Sequence, residues 1–231
     1  MRSYAPEARF LPAPATGNCG LILRRGEHVL IGISPFNSRF SDSYIEKLVV
    51  WGRTNFKRFD LMLPGEADAA LLLEAAGAAP EGALRKARHE LGRKMKSIHS
   101  ALHAAGIPQG EARILRFSDF QEDPRYLSIR AQAEQLFLGE REFRDTCSGI
   151  ALQAIAGCLD GADSTEAQVR IAVNYLFAEL PFFVDSPTLL KVPQSLIACH
   201  RPWPLAGCLF SGRFALSASA DQGCVVLASP D

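Results

Sequence analysis

The chain has 231 residues, of which 48% are hydrophobic and 22% charged. These values suit one globular domain with a full core and exclude intrinsic disorder as the main state. The formal net charge is zero, but residues 1–110 carry 15 Lys and Arg against 10 Asp and Glu, whereas residues 111–231 carry 10 against 15. The zero net charge excludes a protein that is basic over its whole surface and coats nucleic acid. It remains compatible with a local basic patch.

The sequence carries no recognisable targeting segment or cysteine framework. No apolar run is long enough to span a bilayer, and the charged first ten residues lack the apolar stretch of a secretory signal. We therefore expect a cytoplasmic protein without membrane contact. The six cysteines contain no CxxC pair, so we expect reduced thiols, no metal site and no disulfides.

The first half of the chain is predicted to alternate between strands and helices. About the first 18 residues are rich in Pro and Ala and are expected to form an irregular surface segment. Apolar spacing and turn residues predict strands at Gly20 to Leu23, His28 to Ile33 and Phe59 to Leu63. The same signals predict helices at Ser41 to Trp51, Glu66 to Ala76 and Glu81 to Ala105.

The second half is predicted to be mainly helical, with two further strands at Ala112 to Phe117 and Ser195 to Cys199. Helices are predicted at Pro124 to Phe143, Gly149 to Leu159 and Thr165 to Leu180, the last ending near Pro181. The small, apolar tail after Phe214 is left without an assignment.

Strands that alternate with long helices favour an α/β fold, with a mostly parallel sheet covered by helices on both faces. Ligands of such sheets bind beyond the carboxyl ends of the strands. A site is therefore expected at the residues that follow Ile33, Leu63, Phe117 and Cys199.

Ser34 is the first candidate, because it follows a predicted strand directly. Gly32 leaves room for a ligand to approach the backbone, and Asn37 can donate a hydrogen bond to an acyl oxygen. The segment is not the GxSxG elbow of hydrolases. On residue types alone, a Ser-Pro turn with Asn37 or Ser38 capping the next helix remains the alternative.

Tyr175 and Glu179 are the second candidates, since a spacing of four residues places them on one helix face. Their neighbours are nearly all apolar, and a carboxylate there is costly to bury unless it meets a cation. A substrate ammonium is one such cation. A partner arginine, or exposure of Glu179 at the helix end, is the alternative.

The adjacent pair Cys199 and His200 invites a thiol-hydrolase interpretation. Neighbouring residues of a strand point to opposite faces of the sheet, however, so the two side chains are not expected to act as a nucleophile and its base. Core packing for the cysteine and a structural role for the histidine are favoured.

One face of the predicted helix Glu81 to Ala105 is basic and lies opposite an apolar stripe. A row of cations with a single acid, Glu90, suits a phosphate backbone as partner, although a merely solvated face remains the alternative. The candidate residues for binding such a backbone are Arg85, Lys86, Arg88, Arg93 and Lys96, with Lys94 at the margin. The sequence has neither GxxxxGK[ST] nor GxGxxG, so nothing indicates nucleotide binding.

Three segments together resemble the family of tRNA-dependent cyclodipeptide synthases. They are HVLIGISPFNSRFS (His28 to Ser41), YLFAELPFF (Tyr175 to Phe183) and ACHRPWP around His200, in matching order and with the basic helix between the first two. The resemblance spans about residues 20–205. It implies a Rossmann-like domain similar to the catalytic domain of class I tyrosyl- and tryptophanyl-tRNA synthetases, without ATP or a metal.

The resemblance also implies the reaction and its partners. Two aminoacyl-tRNAs would be the substrates of a monomer that joins their aminoacyl groups into a cyclic dipeptide, a 2,5-diketopiperazine, with no DNA and no membrane as partner. Ser34 would hold the first aminoacyl group in a ping-pong mechanism. Tyr175 and Glu179 would bind its α-amino group, with Glu179 as a candidate for proton transfer.

Asn37 and His200 match residues that support the loop and the late step, which indicates the family branch marked by Asn, Tyr and His. The family typically has tyrosine directly before that histidine, as a proton relay in ring closure, whereas this chain has Cys199. A thiol or a water could take that role. The chemistry is consistent in itself, because an aminoacyl ester is already activated and Ser34 needs no His-Asp relay.

The expected substrate-binding residues are Leu30, Gly32, Arg116, Phe182 and Ile197. Arg116 lies in a predicted interior strand, where burial is costly unless the side chain meets an anion. That anion would be an internal acid, Asp119 or Glu179, or an acidic substrate side chain. Phe182 and Ile197 match positions of the substrate pocket and are expected to narrow it, which favours a small residue. We therefore expect a product with one glutamate-like and one small residue.

Two other functions fit parts of the pattern. A serine or cysteine esterase acting on small esters would need a base near Ser34, and the sequence does not identify one. A non-catalytic tRNA-binding module would keep the basic helix but would need neither Ser34 nor Glu179.

Overall fold

The computed structural model describes residues 10–156 and 165–228. Six strands in this part of the chain form one sheet in the order β1-β6-β5-β2-β3-β4, parallel throughout except for the antiparallel pair β1 and β6. The strands are β1 (Leu11–Pro14), β2 (His28–Gly32), β3 (Arg58–Leu63), β4 (Ile114–Arg116), β5 (Ser195–Cys199) and β6 (Gln222–Ala228). The predicted mostly parallel sheet is confirmed.

Eight α-helices lie in the same residues, with a single 3₁₀ turn at Phe117–Phe120 after β4. They are α1 (Gly17–Arg25), α2 (Asp42–Asn55), α3 (Glu66–Ala75), α4 (Pro80–Ala104), α5 (Pro124–Gly139), α6 (Arg141–Ala156), α7 (Glu166–Leu190) and α8 (Pro204–Ser211). The predicted helix at Gly149 to Leu159 is thus part of α6, and its last three residues lie outside the described range.

Helices cover both faces of the sheet and create two apolar cores. On β2, Leu30 faces the core formed with α5, α6, α7 and α8, which we name the α7 core. Val29 and Ile31 face the core formed mainly with α2 and α4, which we name the α4 core. This strict alternation, with both faces buried, is typical of a central parallel strand.

The predicted strand at Gly20 to Leu23 is wrong, since these residues lie within α1. Thr16 caps this helix by accepting a hydrogen bond from the Cys19 backbone, and Gly26 ends it with a left-handed φ of 61°. A short apolar run does not distinguish a strand from a helix. Thr16 and Gly26, which cap the two ends, favour the helix over the strand.

Helix α7 does not end near Pro181 but continues to Leu190, with a non-helical backbone at Asp185 (φ −156°, ψ 52°). Proline removes one hydrogen bond and normally ends a helix. Here Leu180 to Pro187 is buried without interruption, so packing in the α7 core compensates for the lost hydrogen bond.

Both ends of the described chain contribute strands that the sequence did not predict. Within the segment expected to be irregular, Leu11–Pro14 pairs with β6, and the unassigned tail supplies β6 beside β5. The strand predicted at Ala112 to Phe117 is shortened to Ile114–Arg116, and it is an edge strand paired with β3 alone.

Candidate active site

Ser34 lies directly beyond the end of the central strand β2. The Ile33 backbone donates a 2.8 Å hydrogen bond to Met62 O of β3, which extends the pairing to the residue before the serine. Ser34 is half-buried, and a Cβ built on Gly32 would meet no heavy atom within 4 Å. The predicted position at the carboxyl edge of the sheet, with open space beside it, is therefore confirmed.

Asn37 connects the Ser34 loop to the end of β5. Its Oδ1 accepts a 2.9 Å hydrogen bond from the Arg39 backbone, so its Nδ2 is the atom that faces His200 Nε2 at 3.0 Å. An amide Nδ2 only donates, and His200 Nε2 must therefore accept, which requires a neutral ring. Two residues separated by 163 positions thus meet at the site.

The surroundings of His200 keep its ring neutral. Burial lowers the pKa of His200 to about 4, and the positive charges of Arg201 and Arg39 act in the same direction. The imidazole also packs edge-on against Phe40, with ring centroids 5.2 Å apart. His200 accordingly serves as a hydrogen-bond acceptor at neutral pH and carries no charge there.

Tyr175 and Glu179 lie on one face of α7, and both are half-buried. Burial raises the pKa of Glu179 to about 7, against the opposing influence of Arg201. Burial, the Glu179 charge and the Asp68 charge raise the pKa of Tyr175 well above its ordinary value. In residues 10–156 and 165–228 the Glu179 carboxylate has no ion-pair partner, so the partner arginine considered above is not found there.

Cys199 faces the α7 core, whereas His200 contacts Phe40 of the α4 core, as the alternation of a strand predicts. Cys199 Sγ lies 4.0 Å from Cys224 Sγ of β6. This contact, burial and the Glu179 charge raise the pKa of Cys199 well above its ordinary value. The thiol is therefore neutral, which argues against a thiolate nucleophile.

Three of the expected substrate-binding residues lie in the α7 core, and a fourth lies at the end of β2. Leu30, Phe182 and Ile197 belong to the α7 core, which Tyr175 contacts, and Gly32 lies at the end of β2. The sequence interpretation missed Phe117, which stacks on Phe182 at 5.5 Å and lies 6.0 Å from the Tyr175 ring. Its position at the carboxyl end of β4 could have identified Phe117 from the sequence, because ligands bind beyond these strand ends.

The interpretation of Arg116 rested on a wrong premise. It lies in the edge strand β4 and is half-buried, so no large burial cost demands an anion. Leu115 packs against the α7 core and Ile114 against the α4 core, so alternation sets Arg116 on the face away from Phe182. Its backbone N–H donates to Asp119 Oδ2 at 2.8 Å.

The basic face of α4 is exposed, with one exception. Arg85, Lys86, Arg88, Arg93 and Lys96 are exposed. Arg88 pairs with Glu66 at 2.6 Å, and Arg93 pairs with Glu90 at 2.8 Å. Lys94 is instead 3% exposed and donates to Phe40 O, so it is a buried structural lysine and its assignment to the tRNA-binding row is wrong.

A buried group of a serine, a histidine and an aspartate lies towards the amino ends of the strands. His28 Nδ1 is 2.9 Å from Ser195 Oγ, and His28 Nε2 is 3.1 Å from Asp60 Oδ2. All three residues are at most 2% exposed, and Asp60 also accepts hydrogen bonds from Arg113. Because no substrate reaches this group, it is a structural network and gives no support to an esterase.

The comparison with protein families decides to which family the chain belongs. The sequence profile of the cyclodipeptide synthase family matches residues 10–229. The chain belongs to the cyclodipeptide synthase family. A cyclodipeptide synthase is an aminoacyltransferase that makes a cyclic dipeptide from aminoacyl-tRNAs, and this is the activity of the enzyme.

Curated relatives agree over nearly the full length. The chain is 37% identical to a cyclo(L-leucyl-L-leucyl) synthase of Bacillus subtilis over 94% of this chain and 89% of the relative. It is 35% identical to a cyclo(L-leucyl-L-leucyl) synthase of Photorhabdus laumondii over 90% of this chain and 91% of the relative.

Solved structures agree with this assignment. A cyclodipeptide synthase of Bacillus thermoamylovorans superposes with a TM-score of 0.90 at 32% identity, covering 96% of this chain and 97% of that one. The tyrosyl-tRNA synthetase of Archaeoglobus fulgidus has a TM-score of 0.55 at 12% identity, over 92% of this chain and 59% of that one. The Rossmann-like fold related to class I synthetases is therefore confirmed. In the described residues, no helix is long and apolar enough to cross a membrane.

Proposed function

We propose that this cyclodipeptide synthase works by a ping-pong mechanism through an aminoacyl ester on Ser34. Ser34 Oγ attacks the carbonyl carbon of the first aminoacyl-tRNA, the bond to the 3′-terminal ribose breaks, and the ribose oxygen receives the proton. The amine of the second aminoacyl-tRNA then attacks the Ser34 ester, which forms a dipeptidyl-tRNA and returns the proton to Ser34. The free amine of the first residue finally attacks the remaining ester, which closes the ring and releases the second tRNA.

The observation that carries this proposal is the hydrogen bond from Asn37 to His200. This bond holds the loop that contains Ser34 against the end of β5. Cys199, the last residue of β5, faces the α7 core. The reacting ester needs a fixed position rather than a strong base, because it is already activated. In the described part of the chain, Ser34 makes no side-chain hydrogen bond to a histidine, which further disfavours an esterase.

Glu179 is proposed to bind the α-ammonium group of the first aminoacyl residue, with Tyr175 beside it. In the described residues Glu179 has no ion-pair partner, and a half-buried carboxylate of this kind is complementary to a substrate ammonium. With a pKa near 7, the same group can accept and return a proton at neutral pH. These properties support a role in both binding and proton transfer.

We further propose that the chain belongs to the branch marked by Asn, Tyr and His, with Asn37 and His200 present and Cys199 in the tyrosine position. As a neutral thiol, Cys199 retains one proton that it can donate. It is a weaker hydrogen-bond donor than a phenol, so its contribution to ring closure is expected to be small.

The side chain of the first residue is proposed to be apolar. Leu30, Phe117, Phe182 and Ile197 belong to the apolar core against which Tyr175 packs, and Phe117 contacts both Tyr175 and Phe182. A charged side chain placed among them would lose its hydration. The leucyl products named for the two curated relatives support the same choice. This proposal replaces the glutamate-like residue expected from Arg116.

The exposed basic row of α4 is proposed to bind the tRNA backbone of both substrates. We also propose that the enzyme acts as a cytoplasmic monomer that needs neither ATP nor a metal, since each aminoacyl ester brings its own activation.

The decisive experiment is production of the enzyme in a bacterial host, with mass spectrometry of the medium for cyclic dipeptides. We expect a diketopiperazine from the native enzyme and none from Ser34→Ala. Ser38→Ala is the matched control, because Ser38 is an exposed serine of the same loop and should leave the yield unchanged. Intact-mass detection of an aminoacyl adduct on Ser34→Ala would refute the assignment of the nucleophile.

A further inference from the structure

Two arginines flank the site and have no role in the mechanism above. Arg39 lies in the loop between β2 and α2, and Arg201 is the second residue after β5. Both are exposed. Within residues 10–156 and 165–228, neither forms an ion pair with an acidic side chain. Unpaired cations on two separate loops at the mouth of a site suggest an external anion.

The two loops are joined to each other. Asn37 accepts from the Arg39 backbone and donates to His200, the residue before Arg201. Each arginine therefore neighbours one end of the same short hydrogen-bonded connection. Both guanidinium groups also lower the pKa of His200, and Arg201 opposes the rise in the pKa of Glu179. Both arginines are therefore close enough to groups of the site for their charges to act on them.

Arg39 is positioned in advance. Its guanidinium carbon lies 5.3 Å from the centroid of the Tyr44 ring, in cation–π geometry. The next residue, Phe40, accepts a hydrogen bond from Lys94 of α4. The residue after Arg39 therefore contacts the basic helix α4 directly.

The substrate supplies a suitable anion at this place. The aminoacyl group is esterified to the 3′-terminal ribose, so when the ester reaches Ser34 the phosphodiesters of the last nucleotides lie just outside the mouth. Guanidinium groups bind phosphate oxygens through paired, charge-assisted hydrogen bonds. We propose that Arg39 and Arg201 bind the 3′-terminal phosphodiesters of the aminoacyl-tRNA and thereby set the ester in front of Ser34.

The proposal rests on Ser34 as the reacting residue, but its test is independent of that chemistry. Binding is measured with an uncharged acceptor-stem hairpin that ends in CCA and cannot react. A second hairpin carries neutral methylphosphonates in place of the last two phosphodiesters. Both are titrated against the native enzyme, Arg39→Gln, Arg201→Gln and the double variant. Arg24→Gln is the control, since Arg24 is an exposed arginine of α1.

We expect each single variant to weaken binding of the native hairpin about tenfold or more. The slope of log affinity against log salt should fall by about 0.7 for each lost contact. With the methylphosphonate hairpin, the same variants should have little further effect, because the partner of the arginine is already neutral. With charged tRNA, KM should rise much more than kcat falls, and Arg39→Lys should recover part of the loss.

Equal losses of affinity with both hairpins would overturn the proposal and would indicate that the arginines act only through the loop or through His200. Equal binding of the two hairpins by the native enzyme would overturn it as well. Thermal unfolding of each variant shows whether a loss of binding reflects a loss of fold. Failure of Ser34 as nucleophile would instead appear as an absent aminoacyl adduct, with the hairpin results unchanged.

Discussion

Asn37 Nδ2 donates a 3.0 Å hydrogen bond to His200 Nε2 and so connects the loop after β2 with the loop after β5. The bond requires a neutral imidazole, and burial together with two nearby arginines provides one. The Ser34 loop is held by this contact and by the capped start of α2.

Asn37→Asp should raise the pKa of His200 from about 4 towards or above its ordinary value. A carboxylate in place of the amide accepts a hydrogen bond from the ring and favours the protonated imidazolium. NMR titration of the imidazole measures the change. Asn174→Asp, an exposed substitution on α7, should leave the titration where it is. An unchanged His200 pKa in Asn37→Asp would mean that the two side chains are not in contact in solution.

Glu179→Gln should lower turnover by about tenfold to a hundredfold, because a charge-assisted contact contributes about 1.5–3 kcal/mol. Titration of Glu179 should also produce a change in kcat/KM near pH 7 in the native enzyme, and this change should be absent in Glu179→Gln. Glu134→Gln, an exposed carboxylate of α5, is the control for turnover. Native turnover and an unaltered profile in Glu179→Gln would exclude Glu179 from the site.

The same variant should gain stability at alkaline pH. Burial raises the folded pKa of Glu179 from 4.5 to about 7, so between these values the native state holds a proton that the unfolded chain has released. The associated stability is present below pH 4.5 and is lost as pH rises through 7. Denaturant titration should find Glu179→Gln more stable than the native enzyme at pH 8 by about 1–2 kcal/mol, given partial solvent screening. No difference should appear at pH 4.

Cys199 tests the departure from the family pattern. If a proton donor belongs at this position, Cys199→Tyr should keep or raise the rate of diketopiperazine formation and Cys199→Ala should lower it. Cys208→Ala, a half-buried cysteine of α8, provides the control. Equal rates for cysteine, alanine and tyrosine would remove position 199 from the mechanism.

The basic face of α4 and the buried Lys94 should behave differently on substitution. The triple variant Arg85→Glu, Lys86→Glu, Lys96→Glu should weaken tRNA binding and flatten its salt dependence, since these exposed cations face phosphate. Lys94→Met should instead cost about 1–3 kcal/mol of stability by leaving Phe40 O without its donor. Its salt slope should stay native. A reduced slope of log affinity against log salt in Lys94→Met would show that Lys94 does contact the tRNA.

Local sequence determined much of this protein. The apolar run of β2, the serine directly after it and the four-residue spacing of Tyr175 and Glu179 each depend on neighbouring residues alone. Strand and helix periodicity therefore sufficed to predict the mostly parallel sheet and the edge at which Ser34 lies. The motifs, with their order and spacing, sufficed for the family.

Tertiary structure decided what depends on distant partners. The strand order made β4 an edge and removed the reason for an anion beside Arg116, and burial carried α7 past Pro181. Lys94 is buried, and it donates a hydrogen bond to Phe40 O, 54 residues away in the chain. Asn37 meets His200 because β2 and β5 are neighbours in the sheet. Residue type and local spacing carry no record of such contacts, because they arise only when strands remote in sequence pair and helices pack over them.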